Sequence, residues 1–155
     1  YKQYPNIYSI KDTANLASYN VWSCGSYSNN LNGFQVTGEN EGTISMQENE
    51  ITLTRTTTNN TYFMLRFNLP VPSENINKNI LLKCSCKGPG TISIYLYDSN
   101  WSTVSSTYVD LSNNHTEISS TLNIVQNTSY AQFLFISPRA AGSTLTINNI
   151  RTYIQ

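Results

Sequence analysis

Residues 79–111 read NILLKCSCKGPGTISIYLYDSNWSTVSSTYVDL, and the spacing of their apolar side chains decides the fold class. Side chains on a strand alternate between two faces. On that period Ile92, Ile94 and Leu96 share one face, while Ser93, Tyr95 and Tyr97 share the other. The preceding segment buries Ile80, Leu82, Cys84 and Cys86 and turns Lys83, Ser85 and Lys87 outward. Lys87-Gly88-Pro89-Gly90 joins these two strands, and Asp98-Ser99-Asn100-Trp101 forms a tip leading into a third. One face is therefore core, and the other is a polar surface carrying two tyrosines.

The same period recurs on either side. Short strands are expected at Phe34–Val36, Thr43–Met46 and Glu50–Thr56, and then at Tyr62–Leu69 after the Asn59-Asn60 turn. In the last of these Phe63, Leu65, Phe67 and Leu69 alternate with Tyr62, Met64, Arg66 and Asn68. Pro70 and Pro72 end it, because proline offers the ladder no donor. Further strands are expected at Thr116–Ile124, Tyr130–Ser137 and Leu145–Ile154. Nine or ten short strands separated by turn residues, without a long helix, indicate an all-β, two-sheet antiparallel sandwich. The long polar connections Pro70–Asn79 and Asp110–Thr116 let the chain cross between sheets, which favours a jelly roll. Residues 33–155 form this domain. Residues 1–32 are a lead-in that packs on the sandwich, with one or two helical turns capped by Asp12 or Thr13 and with Tyr19 and Trp22 docked on the core edge.

The chain has 155 residues, nine basic and nine acidic, for a net charge of zero. That lacks the positive footprint of a nucleic-acid or membrane-surface protein. Charged residues make up only 12%, half the usual share. Asn, Ser and Thr supply more than a third of the chain, a neutral hydrogen-bonding surface suited to an extracellular or virion protein. No apolar run reaches membrane-spanning length, and no signal peptide precedes the domain. The first residue is Tyr1, as expected for a piece of a longer protein. Cys84 and Cys86 share one strand face and read as small buried hydrophobes, with Cys24 in a loop. Four Asn-x-Ser/Thr sequences, at Asn59, Asn100, Asn114 and Asn127, are as many as this composition yields by chance.

The order of elements carries a resemblance. An early Trp22 precedes Asn32-Gly33-Phe34, then come Tyr62-Phe63-x-Leu65-x-Phe67 and the hairpin Ile92-x-Ile94-Tyr95-x-Tyr97-Asp98-Ser99. A Phe133-Leu134-Phe135-Ile136 strand leads to the closing Leu145-Thr146-Ile147-Asn148-Asn149-Ile150-Arg151-Thr152-Tyr153. This pattern resembles the jelly-roll carbohydrate-binding modules of the family 4/9 type, and their relatives at the ends of phage tail, baseplate and receptor-binding proteins. The resemblance implies a surface polysaccharide or glycan as partner, neither nucleic-acid binding nor membrane insertion, and an extracellular or virion location. It implies no catalytic cofactor. In such modules the closing strand carries an acid that helps hold a structural calcium. Asn148 stands at that position here, a weaker ligand, with Glu39 and Glu41 as the remaining candidates.

Sugar recognition requires flat apolar platforms and planar polar groups. The outward candidates are Tyr95 and Tyr97, with Tyr62 and Arg66 on the neighbouring strand, Gln132 (and Tyr130 beside it) on the same sheet, and Trp101 at the hairpin tip. Catalysis is not expected. The carboxylates are scattered over turns, with no facing pair of the glycosidase kind, and His115 sits alone in a polar turn without a nucleophile elbow nearby. The expected function is a non-catalytic adhesion module of a phage tail or cell-surface protein, weak per site and presented in several copies, for instance as a homotrimer of the parent protein. The alternative is a structural or oligomerisation domain whose aromatics lie in a protein interface.

Overall fold

A computed structural model describes residues 34–47 and 50–155. The lead-in, with Asp12, Thr13, Tyr19, Trp22 and Cys24, lies outside the described residues. Ten strands follow in order: β1 (Phe34–Thr37), β2 (Gly42–Gln47), β3 (Glu50–Arg55), β4 (Met64–Pro70), β5 (Asn79–Lys87), β6 (Gly90–Tyr97), β7 (Thr103–Leu111), β8 (Thr116–Asn123), β9 (Tyr130–Ile136) and β10 (Thr144–Ile154). They build two five-stranded antiparallel sheets, β1-β4-β9-β6-β7 and β2-β3-β10-β5-β8. This is a jelly-roll β-sandwich.

The alternation drives the assembly. Across the first sheet Ile92, Ile94 and Leu96 of β6 stand opposite Phe135, Phe133 and Ala131 of β9, which stand opposite Leu65, Phe67 and Leu69 of β4. All nine are buried and face Ile51 and Leu53 of β3, Ile80, Leu82, Cys84 and Cys86 of β5, and Leu145, Ile147 and Ile150 of β10. Phe67 stacks on Phe133 with ring centroids 4.8 Å apart. Each such side chain contributes roughly 1.5–3 kcal/mol through removal from water. β10 keeps its inward face through a bulge. The register shifts between Asn148 and Arg151, and Asn149 takes φ 53°, so that Ile147 and Ile150 both point inward.

Three expectations change on this frame. β5 and β6 are consecutive but lie in different sheets, because Gly88-Pro89 carries the chain across the sandwich. The tyrosine-bearing face thus belongs to β6 and not to β5. Ser85, on the outer side of β5, is buried because its hydroxyl donates to the Glu117 carboxylate of β8. β4 begins at Met64 rather than Tyr62 and runs through Pro70, since Asn59 accepts from the Thr61 amide (2.8 Å) and holds the approach in a turn. The segments 71–78 and 112–115 do cross between sheets, the first by way of a short 3-10 turn at Ser73–Asn75. Cys84 and Cys86 are buried free thiols.

Candidate functional site

The outer face of the β1-β4-β9-β6-β7 sheet gathers most of the candidates in three rows. Register places Pro70, Tyr130, Tyr97 and Thr103 in the first row and Asn68, Gln132, Tyr95 and Ser106 in the second. The third holds Gln35, Arg66, Leu134, Ser93 and Tyr108. These residues point away from the core, yet Gln132, Leu134 and Ser93 are only 8%, 7% and 4% exposed. On the two inner strands β9 and β6, they form the floor of the face. Tyr108, at 67% exposure, rises from the edge strand β7.

The aromatic cluster sits at the first row. Tyr95 and Tyr97, two residues apart on β6, stack with centroids 6.1 Å apart and planes at 18°. Trp101 lies face to face with Tyr130, at 4.2 Å and 3°, and tilts against Tyr97 at 5.5 Å and 49°. Its position is set by the tip itself. The Asp98 carboxylate accepts from the amides of Asn100 and Ser102, both at 2.9 Å, and the Trp101 amide donates to the Asp98 carbonyl at 3.0 Å. These bonds hold Trp101 at φ 62°, a left-handed conformation that costs a residue with a Cβ about 1–2 kcal/mol. The turn folds the indole back over the sheet while leaving the residue 47% exposed.

A polar relay links the cluster to the floor. The Tyr97 hydroxyl donates to Gln132 Oε1 (3.0 Å), and Gln132 Nε2 donates to Asn68 Oδ1 (2.9 Å). Each group therefore retains a free function. Tyr97 Oη can still accept, and the Asn68 amide nitrogen can still donate. Burial, then the adjacent Tyr95 phenol, push the Tyr97 hydroxyl above its ordinary pKa, against smaller opposing effects of Arg66 and the Thr103 hydroxyl. It stays a neutral donor at physiological pH. Arg66 Nε donates to the Thr37 hydroxyl of the edge strand β1 (2.9 Å).

The structure thus brings Trp101, Tyr95, Tyr97, Gln132 and Arg66 onto one face. Tyr62 is elsewhere. It lies roughly 25 Å along the strand direction from the Trp101 end, under the Arg139 guanidinium at 4.2 Å from its ring centroid. Asn68, Tyr108 and Ser93 were missing from the sequence-derived set. Asn68 shares the parity of Arg66, and that signal was available. The exposure of Tyr108 follows from β7 being an edge strand, which periodicity does not reveal.

The three calcium candidates are not brought together. Asn148 pairs across β10 with Glu50 and Ser85, whereas Glu41 adjoins Gly42 at the Arg55 end, roughly 17 Å away by strand rise. Glu41 is already engaged by the Thr57 hydroxyl (2.5 Å), the Asn59 amide (2.7 Å) and the Arg55 guanidinium (3.8 Å). Among the described residues no three His, Cys, Asp or Glu side chains cluster as metal ligands. The residues present do not fit a calcium held by Asn148, Glu39 and Glu41.

The chain shares its jelly-roll sandwich fold with solved carbohydrate-binding modules. One similar structure is the CBM22-1 xylan-binding domain of Paenibacillus barcinonensis Xyn10C, with 11% identity, a TM-score of 0.53 and coverage of 87% of this chain and 91% of that one. Another is TmCBM61 in complex with β-1,4-galactotriose, at 13% identity, TM-score 0.54 and coverage of 84% and 99%. The enzymatically active domain of bacteriophage CBA120 tailspike protein 4 is similar at 14% identity and TM-score 0.60, over 79% of this chain but only 19% of that one. No protein-family profile and no curated protein sequence matches the chain.

Proposed function

We propose that this domain is a non-catalytic carbohydrate-binding module, holding a surface saccharide on the outer face of the β1-β4-β9-β6-β7 sheet. The observation that carries the reading is the Trp101–Tyr130–Tyr97 cluster beside the Tyr97–Gln132–Asn68 relay. Aromatic faces meet the C–H faces of a sugar ring, and the relay leaves oriented donors and acceptors for its hydroxyls. The exposed aromatics Tyr62, Trp101 and Tyr108 stand apart rather than forming one apolar patch, which favours a sugar over a buried protein interface. Binding is passive. The face's two described carboxylates, Asp98 and Asp110, lie roughly 23 Å apart by strand rise, beyond the about 6.5–9.5 Å of an inverting glycosidase pair.

The parent protein is read as a phage tail or cell-surface protein, with the module outside the cell or on the virion and repeated about a homotrimer axis. The likeness to a tailspike domain and the neutral polar surface support that reading. The test is a glycan and cell-wall polysaccharide array probed with multivalently displayed protein. Trp101→Ala and Tyr97→Ala should each abolish the signal. A folded, multivalent probe that binds nothing would overturn the reading in favour of the structural one, with the aromatics in a protein interface.

A further inference from the structure

Arg66 brings the binding face a charge that no neighbour balances. Its described side-chain bond is the one from Nε to Thr37, which leaves the two terminal nitrogens of the guanidinium without a protein acceptor among the described residues. No described carboxylate forms an ion pair with it; the described ion pairs are Arg55–Glu41 and Arg151–Glu117, both away from this face. Glu39, two residues beyond Thr37, forms no ion pair with Arg66; along the sheet Asp110 lies roughly 16 Å off and Asp98 roughly 19 Å off, by strand spacing and rise. Both are occupied, Asp110 by the Thr91 hydroxyl and Asp98 by its own turn. Of the chain's nine acidic residues only Asp12 and Glu48 lie outside the described part. Arg66 is half-buried, in a row with the floor residues Leu134 and Ser93 and next to Asn68 and Gln132. A partly desolvated guanidinium on a low-charge face attracts an anion, and its planar fork matches a carboxylate in bidentate fashion.

Building on the saccharide reading above, we propose that the face takes an acidic saccharide, with a uronic acid carboxylate on the free nitrogens of Arg66 and the adjoining sugar rings running toward the Tyr97–Trp101 end. Roughly 13 Å separate the Arg66 and Pro70 rows, so one short oligosaccharide spans both. Recognition is then divided: the aromatics hold the chain, and Arg66 selects its charge. The chain as a whole is neutral, so a preference for anionic polymers has to come from a local group and not from bulk attraction.

The test is affinity electrophoresis of the full chain through gels holding paired polymers: polygalacturonate, alginate and a glucuronan, each beside its carboxyl-reduced form, with dextran sulfate as a further gel. The expected result is at least ten-fold stronger retention by one uronate than by its reduced partner. Arg66→Gln should remove that difference, added salt should weaken it, and the thermal unfolding of the variant should match the parent. Equal retention by both members of every pair, or uronate retention unchanged in Arg66→Gln, would overturn this inference while leaving the saccharide reading intact. Stronger Arg66-dependent retention in dextran sulfate would overturn the carboxylate assignment. Retention by no polymer, charged or reduced, would overturn both.

Discussion

Gln132→Leu tests whether the floor of the face positions Tyr97. The residue is 8% exposed, and its amide makes two neutral hydrogen bonds at 3.0 and 2.9 Å. Each such bond contributes about 1 kcal/mol net. Leucine keeps most of the volume and can neither accept from Tyr97 nor donate to Asn68. Both partners are half-buried rather than sealed, so water replaces part of what is lost. The expected cost is about 1–2 kcal/mol, or a melting temperature lower by about 2–8 °C, read by circular dichroism during thermal unfolding. Saccharide affinity should fall further than stability does, because Tyr97 loses the contact that orients its hydroxyl while Trp101 keeps its stack on Tyr130. Gln132→Glu should restore the acceptor for Tyr97 and with it part of the affinity. A Leu variant as stable as the parent and with undiminished affinity would refute the positioning role.

Phe133→Ala should cost about 3–5 kcal/mol in urea unfolding, because a fully buried ring stacked at 4.8 Å on Phe67 leaves a cavity. Gly42→Ala should cost about 1–3 kcal/mol, since the added Cβ would lie 2.4 Å from the Thr54 carbonyl and 2.5 Å from the buried Phe63 ring. The hydrogen bond from Thr57, then that from Asn59, and then the charge of Arg55 hold the Glu41 carboxyl below its ordinary pKa of 4.5. A folded pKa below the unfolded one adds stability that is present above the ordinary value and is lost as pH falls through the lowered one. Glu41→Gln should therefore flatten the acid limb of the stability–pH curve measured by chemical denaturation below about pH 4.5. In a Cys24→Ser background Cys84 should resist thiol reagents until the domain unfolds, because its hydrogen bonding with the Cys86 thiol and its burial push its pKa up.

Alternation made one level of the structure readable from sequence and left the next concealed. A period of two states which face a side chain takes, and it placed Ile92, Ile94 and Leu96 inside and Tyr95, Tyr97, Arg66 and Gln132 outside. It does not state which sheet a strand joins. For that reason β5 and β6 looked like neighbours although Gly88-Pro89 separates them across the sandwich. Nor does it give position along a strand. Tyr62 has the same parity as Arg66 but lies beyond the start of β4, on Arg139. Asn148, Glu39 and Glu41 were grouped by resemblance, and the β2-β3-β10 register separates them. The left-handed turn at Trp101 depends on Asp98 accepting from two amides, a local geometry that composition does not disclose.

Of the nine connections between consecutive strands, only β2–β3 and β6–β7 are hairpins within one sheet; the other seven change sheets. Hairpins close in microseconds, whereas pairings between distant segments pay loop entropy first and form late. The β6–β7 hairpin therefore brings Tyr95, Tyr97 and Trp101 together early, before it has a floor. Tyr130 and Gln132 arrive with β9, and Asn68 and Arg66 with β4, only when strands far apart in the chain have docked side by side. The face exists only in the finished domain. A nascent or partly unfolded chain carries Trp101 exposed on a bare hairpin and has no complete surface with which to hold a ligand.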